Sequence, residues 1–239
     1  NLEVGAIIRR INERKRGPSV LFNRIKGYPP GYRILGEPLN TYRHLALAMG
    51  MDPDSSYREI FEEYDRRVRN PIKPVVVQGG PCKEEVHVGE EADVWEFPVP
   101  LIHAGDGGRY ISTWHVVILK DPASDWVNWG MYRQMVHEPR LLGGLILPFQ
   151  HGGIIWSRYR EAGQAMEFAV ALGTEPLTTA VGACCPPYGV NEADLAGALR
   201  QEPVELVKCE TVDLYVPAHA EIVIEGEVPP DELRVEGPF

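Results

Sequence analysis

The chain has 239 residues, of which 44% are hydrophobic, so it can form one large domain or two small ones with a packed core. Its formal net charge of -10 argues against nucleic-acid binding as the main function, because a phosphate backbone is bound by a positive surface field. The sequence has no apolar run long enough to span a membrane, and its start lacks the basic-then-apolar order of a secretory signal. We therefore expect a soluble cytoplasmic protein.

The first part of the chain predicts a helix-rich segment. Apolar residues at helical spacing predict a helix over residues 2–15, closed by Gly17 and Pro18, and the run "SVLFNRI" predicts a strand. The run "TYRHLALAMGM" predicts a helix that ends near Gly50, and "DSSYREIFEEYDRRVRN" predicts a charged helix that begins at a Ser or Asp cap. Residues 1–70 are therefore expected to form a helix-rich N-terminal segment.

From Pro71 onward the sequence changes to short β-branched runs separated by Gly and Pro, which predict strands. The predicted strands are "KPVVVQ", "EEVHVG", "RYISTWHVVIL", "WVNWGMYRQMV", "GGLILPF", "MEFAVAL", "TTAVGACC", "PVELVKC" and "AEIVIEGEV". The run "GVNEADLAGALR" is the one clear helix among them, and it begins at Asn191 or a neighbour. About nine strands with few long helices predict an α+β domain over residues 71–239, built on a mixed sheet or partly closed barrel.

The segment "HAGDGGRYIS" contains a Gly-Asp-Gly-Gly turn, which is typical of a tight connection between strands. The turn lacks the following Lys-Ser/Thr of a P-loop, so it does not predict that kind of phosphate site. If "RYISTWHVVIL" is one continuous strand, Tyr110 and Ser112 lie on one face and Ile111 and His115 on the other.

The cysteines do not form a paired C-x-x-C spacing. They are Cys82, Cys184, Cys185 and Cys209. Adjacent Cys184 and Cys185 cannot easily join two separate elements, and intracellular cysteines are generally reduced. The sequence therefore predicts buried, reduced thiols.

Three polar residues in Gly-rich surroundings form a candidate metal site. Asn128, His151 and Glu192 supply an amide oxygen, an imidazole and a carboxylate, a set that suits Mn²⁺ or Mg²⁺, with water or a phosphate oxygen completing the shell. Asn128 and Arg133 share a site only if the strand is bulged or kinked, and Gly130 offers that place. The alternative is structural: a core His, an Asn in a turn, and a Glu that caps a helix.

Arg133 is the best-placed basic residue near this site. Its guanidinium can pair bidentately with a substrate carboxylate or with Glu236 in the terminal "ELRVEGPF". A surface salt bridge is the structural alternative.

Several longer strings resemble one family. These are "NWGMYR", "PFQHGG", "PYGVNEADLAGAL", "PVELVKCETVDLYVPAHAEIVIEGEV" and the terminal "EGPF". In order and spacing they resemble the UbiD-like decarboxylases, which use prenylated FMN, and the resemblance runs over nearly the whole chain. It implies a flavin-reductase-like split β-barrel that holds prenylated FMN, a divalent metal (usually Mn²⁺) and K⁺ beside the cofactor phosphate. A flavin prenyltransferase is the implied supplier of the cofactor.

The resemblance also assigns roles to individual residues. It implies that Asn128, His151 and Glu192 bind the metal and that the Trp129 carbonyl meets K⁺. Arg133 and Glu236 match the catalytic Arg and the first catalytic Glu. The other implied cofactor contacts are Met131, Arg133, Gln150, His151 and, in the loop from Val181 to Cys185, Ala183, Cys184 and Cys185. That loop departs from the Ser and Met more often found there.

The implied function is reversible non-oxidative decarboxylation of an aromatic or α,β-unsaturated carboxylic acid through a covalent prenylated-FMN adduct. In the family a second catalytic acid follows beyond the position of Phe239, and a C-terminal half supplies subunit contacts. One alternative is therefore a cofactor-binding fragment or subunit without autonomous catalysis. Another is an ordinary FMN oxidoreductase, which makes no special use of Asn128, His151 and Glu192. The expected partners are a second copy of the chain or a complementary C-terminal chain.

Overall fold

The structure is a computed structural model that describes residues 2–14 and 17–239. The described residues form six α-helices and twelve short β-strands. The helices are α1 (Leu2–Asn12), α2 (Tyr42–Ala48), α3 (Tyr57–Val68), α4 (His151–Glu161), α5 (Pro176–Ala180) and α6 (Glu192–Arg200). The strands are β1 (Val20–Phe22), β2 (Ile34–Gly36), β3 (Val75–Val76), β4 (Arg109–Ser112), β5 (His115–Lys120), β6 (Val127–Gly130), β7 (Gln134–Glu138), β8 (Leu141–Gly144), β9 (Met166–Leu172), β10 (Glu205–Lys208), β11 (Tyr215–Pro217) and β12 (Ile222–Val228).

A four-stranded antiparallel sheet in the order β12-β9-β5-β6 forms the centre of the fold. Strand β5 is buried on both faces, and successive residues point to opposite sides. Val116 and Ile118 belong to a large apolar core that also includes residues of α2, α3 and α6. Val117 and Leu119 belong to a second core that includes Ile155 of α4. The central sheet is therefore covered by helices on both faces.

Three smaller sheets surround the central one. Strands β4-β7-β8 form an antiparallel sheet, β11-β10-β3 form a mixed sheet, and β1 pairs with β2. These are separate sheets, and the described residues contain no closed barrel. The fold is therefore mixed α+β. No helix in the described ranges is long and apolar enough to cross a membrane.

The helices of the first part begin at side-chain caps. The Thr41 hydroxyl caps α2, and Ser56 and Glu59 form a reciprocal capping box at the start of α3, as the Ser or Asp cap of that segment predicts. The predicted helix over residues 2–15 ends at Asn12; residue 15, like residues 1 and 16, lies outside the described residues. The division of the chain at residue 70 stays a prediction.

The predicted strand "TTAVGACC" is wrong, because the segment is helical. Helix α5 is followed by a 3₁₀ turn over Val181–Ala183. The Glu175 side chain accepts hydrogen bonds from the backbone N–H groups of Leu177 and Thr178, and a proline occupies the first helical turn. This cap stabilises a helix start and overrides the strand preference of the β-branched residues that follow.

Two long predicted strands are each divided into two. The run "RYISTWHVVIL" forms β4 and β5 with a break at Thr113 and Trp114, so Ser112 and His115 lie in different sheets. Both residues are fully buried. The run "WVNWGMYRQMV" forms β6 and β7, and residues 131–133 lie between them.

Two further strand predictions are wrong, and one helix was missed. No strand forms over "EEVHVG", and "GGLILPF" overlaps only the end of β8, at Gly143 and Gly144. Helix α4 follows directly, although its Gly152-Gly153 pair has low helix propensity. All four cysteines are free; Cys209 is buried as predicted, but Cys184 and Cys185 are exposed.

Candidate active site

Strand β6 and the segment after it carry most of the predicted site residues. Asn128 and Trp129 are buried in β6, and the chain leaves strand geometry after Gly130, where the sequence predicts a break. A Cβ atom on Gly130 would collide with the Tyr132 ring. Glycine is therefore required because the chain folds back on itself here.

Glu192 is a buried carboxylate that has no positively charged partner among the described residues. It is 1% exposed, its Oε1 accepts a hydrogen bond from Asn128 Nδ2 at 2.9 Å, and its Oε2 accepts one from the Trp129 N–H at 2.9 Å. Burial raises the pKa of Glu192 to about 7 despite these donors. The carboxylate thus ties α6 to β6.

His151 is the first residue of α4 and lies beside Glu192. Its Nδ1 is 3.8 Å from Glu192 Oε1. Burial lowers the pKa of His151, so the imidazole is neutral at pH 7 and the contact is not an ion pair. The rings of Trp126 and Tyr188 meet the imidazole edge-on, at centroid distances of 5.2 and 5.6 Å.

The structure thus brings the three predicted ligands together around Glu192. Among the described residues, no group of three or more His, Cys, Asp and Glu side chains is placed to hold a metal. The cluster has one His, one Glu and one Asn, so its third donor is an amide.

The predicted cofactor loop lies beside the β6–β7 connection. The Met131 N–H donates to the Gly182 carbonyl at 3.1 Å, which brings the 3₁₀ turn against the strand end. Ala183 is exposed, and the exposed Cys184 Sγ accepts a hydrogen bond from the Tyr64 hydroxyl at 3.6 Å. Cys185 follows with a positive φ of 41°.

Gln150 and the two glycines after His151 have structural partners. Gln150 precedes α4, and its Oε1 accepts a hydrogen bond from the Leu147 N–H at 2.9 Å. A Cβ atom on Gly152 would lie 2.8 Å from the Tyr132 ring, and one on Gly153 would collide with the Leu147 carbonyl. These two glycines therefore allow the Tyr132 ring and the Leu147 carbonyl to approach α4 closely.

Arg133 and Glu236 form a bidentate ion pair. Arg133 Nε and Nη2 donate to the two carboxylate oxygens at 2.9 and 3.0 Å. The Arg133 side chain is 28% exposed and that of Glu236 only 7%, so the ion pair is partly buried. The ion pair raises the pKa of Arg133.

The residues after Glu236 are held by the turn before β4. The Gly107 N–H donates to the Pro238 carbonyl at 2.8 Å, and a Cβ atom on Gly107 would collide with the Gly237 carbonyl. The Phe239 ring packs on Tyr110 at a centroid distance of 4.5 Å. We call this set of contacts, between Gly107 and Tyr110 on one side and residues 237–239 on the other, the tail clamp.

The Arg133 side chain also contacts the two aromatic rings of the tail clamp. Its guanidinium lies 5.7 Å from the Tyr110 ring centroid and 5.6 Å from that of Phe239. Burial, followed by the neighbouring Glu236, raises the pKa of Tyr110 to about 12. The Gly-Asp-Gly-Gly turn was predicted only as a tight connection, and nothing in its local sequence indicates a contact with the end of the chain.

Tyr132 is a site residue that the sequence analysis missed. Its hydroxyl donates to Asn128 Oδ1 at 2.8 Å and accepts from the Gly152 N–H at 2.8 Å. His115 Nε2 lies 2.9 Å from the Tyr132 carbonyl oxygen. Burial lowers the pKa of His115 to about 4, so the ring is neutral and Nε2–H donates to the carbonyl.

Comparison with known proteins identifies the family. Residues 73–239 match the model of the 3-octaprenyl-4-hydroxybenzoate carboxy-lyase Rift-related domain, named UbiD. Residues 1–64 match the model of the corresponding N-terminal domain, named UbiD_N. The chain belongs to the UbiD family.

Individual relatives agree with this. The UbiD-family chain is 41% identical over 247 residues to pyrrole-2-carboxylic acid decarboxylase of Pseudomonas aeruginosa, covering 100% of the chain and 50% of that protein. It is 32% identical to vanillic acid decarboxylase of Sedimentibacter hydroxybenzoicus in its closed form, with a TM-score of 0.94, covering 99% of the chain and 51% of that structure.

A third relative contains the cofactor. An evolved dimeric form of the UbiD-class enzyme HmfF from Pelotomaculum thermopropionicum, solved in complex with prFMN, is 35% identical with a TM-score of 0.90, covering 100% of the chain and 54% of that structure. The UbiD-family chain spans about half the length of the curated relatives it matches.

Proposed function

We propose that this chain is the cofactor-binding part of a carboxy-lyase that reversibly and non-oxidatively removes CO₂ from an aromatic or α,β-unsaturated carboxylic acid, using prenylated FMN. Membership of the UbiD family and relatives named as decarboxylases support this. The observation that carries it is one short segment, residues 128–133, which links the Arg133–Glu236 pair to the cluster of Asn128, His151 and Glu192.

The buried cluster fits a divalent cation. Glu192 is buried with two neutral hydrogen-bond donors, and burial raises its pKa to about 7. A divalent cation beside it would favour the charged carboxylate. Amide oxygen, neutral imidazole and carboxylate are ligands that suit Mn²⁺ or Mg²⁺. Asn128, His151 and Glu192 would hold the cation. We also propose that K⁺ binds beside the Trp129 carbonyl and the Val181–Cys185 loop.

Five residues near this cluster would contact prenylated FMN: Met131, Gln150, Ala183, Cys184 and Cys185. The fit rests on the Met131–Gly182 hydrogen bond, which places the loop beside the end of β6. When bound, prenylated FMN supplies the electron sink for the electron pair left on the substrate carbon as CO₂ departs. We also propose that the fold is a flavin-reductase-like split β-barrel.

The chain's own residues would orient the acid and handle a proton. Arg133 keeps its positive charge at any accessible pH, so it can attract the substrate carboxylate and hold Glu236 in one orientation. Glu236 is largely shielded from water by the tail clamp, and its carboxyl group can accept or donate a proton near the reacting carbon. A bidentate pair fixes both carboxylate oxygens, which limits the positions from which that proton moves.

A second candidate is a cofactor-binding chain that turns over only with additional residues. The coverage of about half of each relative favours it. In that case a second copy or a complementary C-terminal chain would complete the site. A flavin prenyltransferase as cofactor supplier and a cytoplasmic location remain predictions under either candidate.

Reconstitution separates the two candidates. The chain is loaded with prenylated FMN, Mn²⁺ and K⁺, and CO₂ release is measured from a panel of cinnamic, hydroxybenzoic and heteroaromatic acids. Turnover that is lost in Glu236→Gln and kept in Glu232→Gln, an exposed carboxylate of the same segment, supports the autonomous enzyme. Tight metal-dependent cofactor binding without turnover supports the binding chain. Failure to bind the cofactor with or without metal contradicts both.

A further inference from the structure

The hydroxyl group of Tyr132 connects two of the three proposed cation ligands. It donates to Asn128 Oδ1 on β6, and it accepts from the N–H of Gly152, the residue that follows His151 at the start of α4. Both distances are 2.8 Å. One buried hydroxyl therefore fixes the Asn128 carboxamide and the first turn of the helix that carries His151.

The surroundings hold the Tyr132 ring in a single place. The side chain is in the second apolar core with Trp126 and Ile155, and the residue is 6% exposed. The ring lies against Gly130 and Gly152, where a Cβ atom would overlap it at either position. Glycine at both positions thus admits an aromatic ring whose hydroxyl reaches the polar cluster.

The Tyr132 backbone is also fixed from the opposite side. The neutral His115 ring, fully buried in β5, donates from Nε2 to the Tyr132 carbonyl at 2.9 Å. Ring packing and this hydrogen bond together leave the hydroxyl little freedom. Hydrogen bonds from a fixed outer partner orient metal ligands and tune their affinity.

From these contacts we propose that Tyr132 is a positioning residue, which holds the Asn128 side chain and the start of the His151 helix beside Glu192, where the divalent cation would bind. This inference rests on the cation site of the proposed function. A hydroxyl group suits the task because it both donates and accepts. It donates to Asn128 Oδ1 in the observed arrangement, and it could accept from Nδ2 if the amide turned over to place its oxygen toward Glu192.

The test compares Tyr132→Phe with Tyr159→Phe. Tyr159 packs against the same apolar core, and its hydroxyl makes no hydrogen bond within the described residues, so the control removes one oxygen without touching the cluster. Mn²⁺ affinity is measured from the electron paramagnetic resonance signal of free Mn²⁺, in the presence of FMN. We expect a 10- to 100-fold higher Kd in Tyr132→Phe, the range typical of an outer-shell partner, and a parent-like Kd in Tyr159→Phe. An unchanged or lower Kd in Tyr132→Phe overturns the inference.

A second measurement does not depend on the metal. The side-chain amide resonances of Asn128 are recorded by ¹⁵N NMR in the metal-free protein and assigned by their loss in Asn128→Asp. Positioning predicts that they shift and exchange faster with solvent in Tyr132→Phe but not in Tyr159→Phe. Unchanged resonances overturn the inference even if both variants bind Mn²⁺ poorly. A parent that binds no Mn²⁺ contradicts the cation site instead, and the NMR comparison then decides whether Tyr132 orients the amide.

Discussion

The two charged clusters at the ends of residues 128–133 are built in different ways. Arg133 and Glu236 carry opposite charges, and two hydrogen bonds join them beside the partly exposed tail clamp. Glu192 lies in the core and is held by an amide, a backbone N–H and a neutral imidazole nearby. The first cluster is balanced without any further group. The second has a carboxyl group with no positive partner among the described residues, and burial raises its pKa to about 7, so the proposed cation would favour its charged form.

The two clusters also depend on different parts of the fold. The central sheet and its helices hold Glu192, whereas a turn and the last residues of the chain hold Glu236. Each cluster can therefore be altered while the other stays intact, and the following predictions use that separation.

The largest effect is expected from Glu192→Gln, which removes the charge of the buried cluster. Loss of a direct ligand should exceed the 10- to 100-fold cost of an outer-shell partner, so we expect Mn²⁺-dependent FMN affinity to fall on the order of 1,000-fold. Isothermal titration with Mn²⁺ present measures it. Glu225→Gln is the matched control, because Glu225 also accepts hydrogen bonds from backbone N–H groups but lies on β12. Parent-like affinity in Glu192→Gln would show that this carboxylate is not a ligand.

His115→Gln tests whether the buried, neutral His115 imidazole makes the stability of the fold depend on pH. The pKa of His115 is about 4 in the folded chain, below the ordinary value of about 6.5 in the unfolded chain. On acidification the unfolded state binds the proton first, so stability is lost as the pH falls from about 6.5 to about 4. The parent should therefore lose about 3 kcal/mol more than His115→Gln between pH 7 and pH 4. Urea unfolding at both pH values measures the difference, and equal losses would contradict a neutral buried imidazole.

Gly107→Ala is expected to disturb the tail clamp alone. The added Cβ atom meets the Gly237 carbonyl, and the shift should separate Glu236 from Arg133. Misplacement of a reacting group by about 1 Å can cost about 100-fold in rate, equivalent to about 2.7 kcal/mol. Turnover and the Arg133 Nε–H resonance report the loss, while Mn²⁺ affinity should stay unchanged. Gly105→Ala is the control, since its Cβ would meet no atom within 4 Å. Equal behaviour of the two variants would contradict the clamp.

The site residues were predictable where chemistry and spacing coincide. Asn128, His151 and Glu192 were grouped by their ligand types, and the break at Gly130 was required for Arg133 to share their surroundings. The structure brings Asn128, His151 and Glu192 together, and Arg133 lies in the segment that follows Gly130. Their roles in binding a metal or moving a proton remain proposals.

Other features could not be predicted because they depend on tertiary contacts. The β-branched residues of "TTAVGACC" favour a strand, but the segment is helical. Only the Glu175 cap before it indicates a helix. Tyr132 has no local signal, since its role depends on Gly152 of a helix twenty positions away. The tail clamp joins Gly107 to residues 237–239, which are distant in the sequence, and no local pattern reveals this contact.

Anomalous diffraction tests the cation site most directly. Crystals of the parent chain are grown with prenylated FMN and Mn²⁺, and data are collected at the manganese absorption edge. We predict one strong anomalous peak within bonding distance of a Glu192 carboxylate oxygen and His151 Nδ1, with the Asn128 carboxamide oxygen turned toward it. Bound cofactor with no peak at Glu192, or with a peak only elsewhere, would contradict the account.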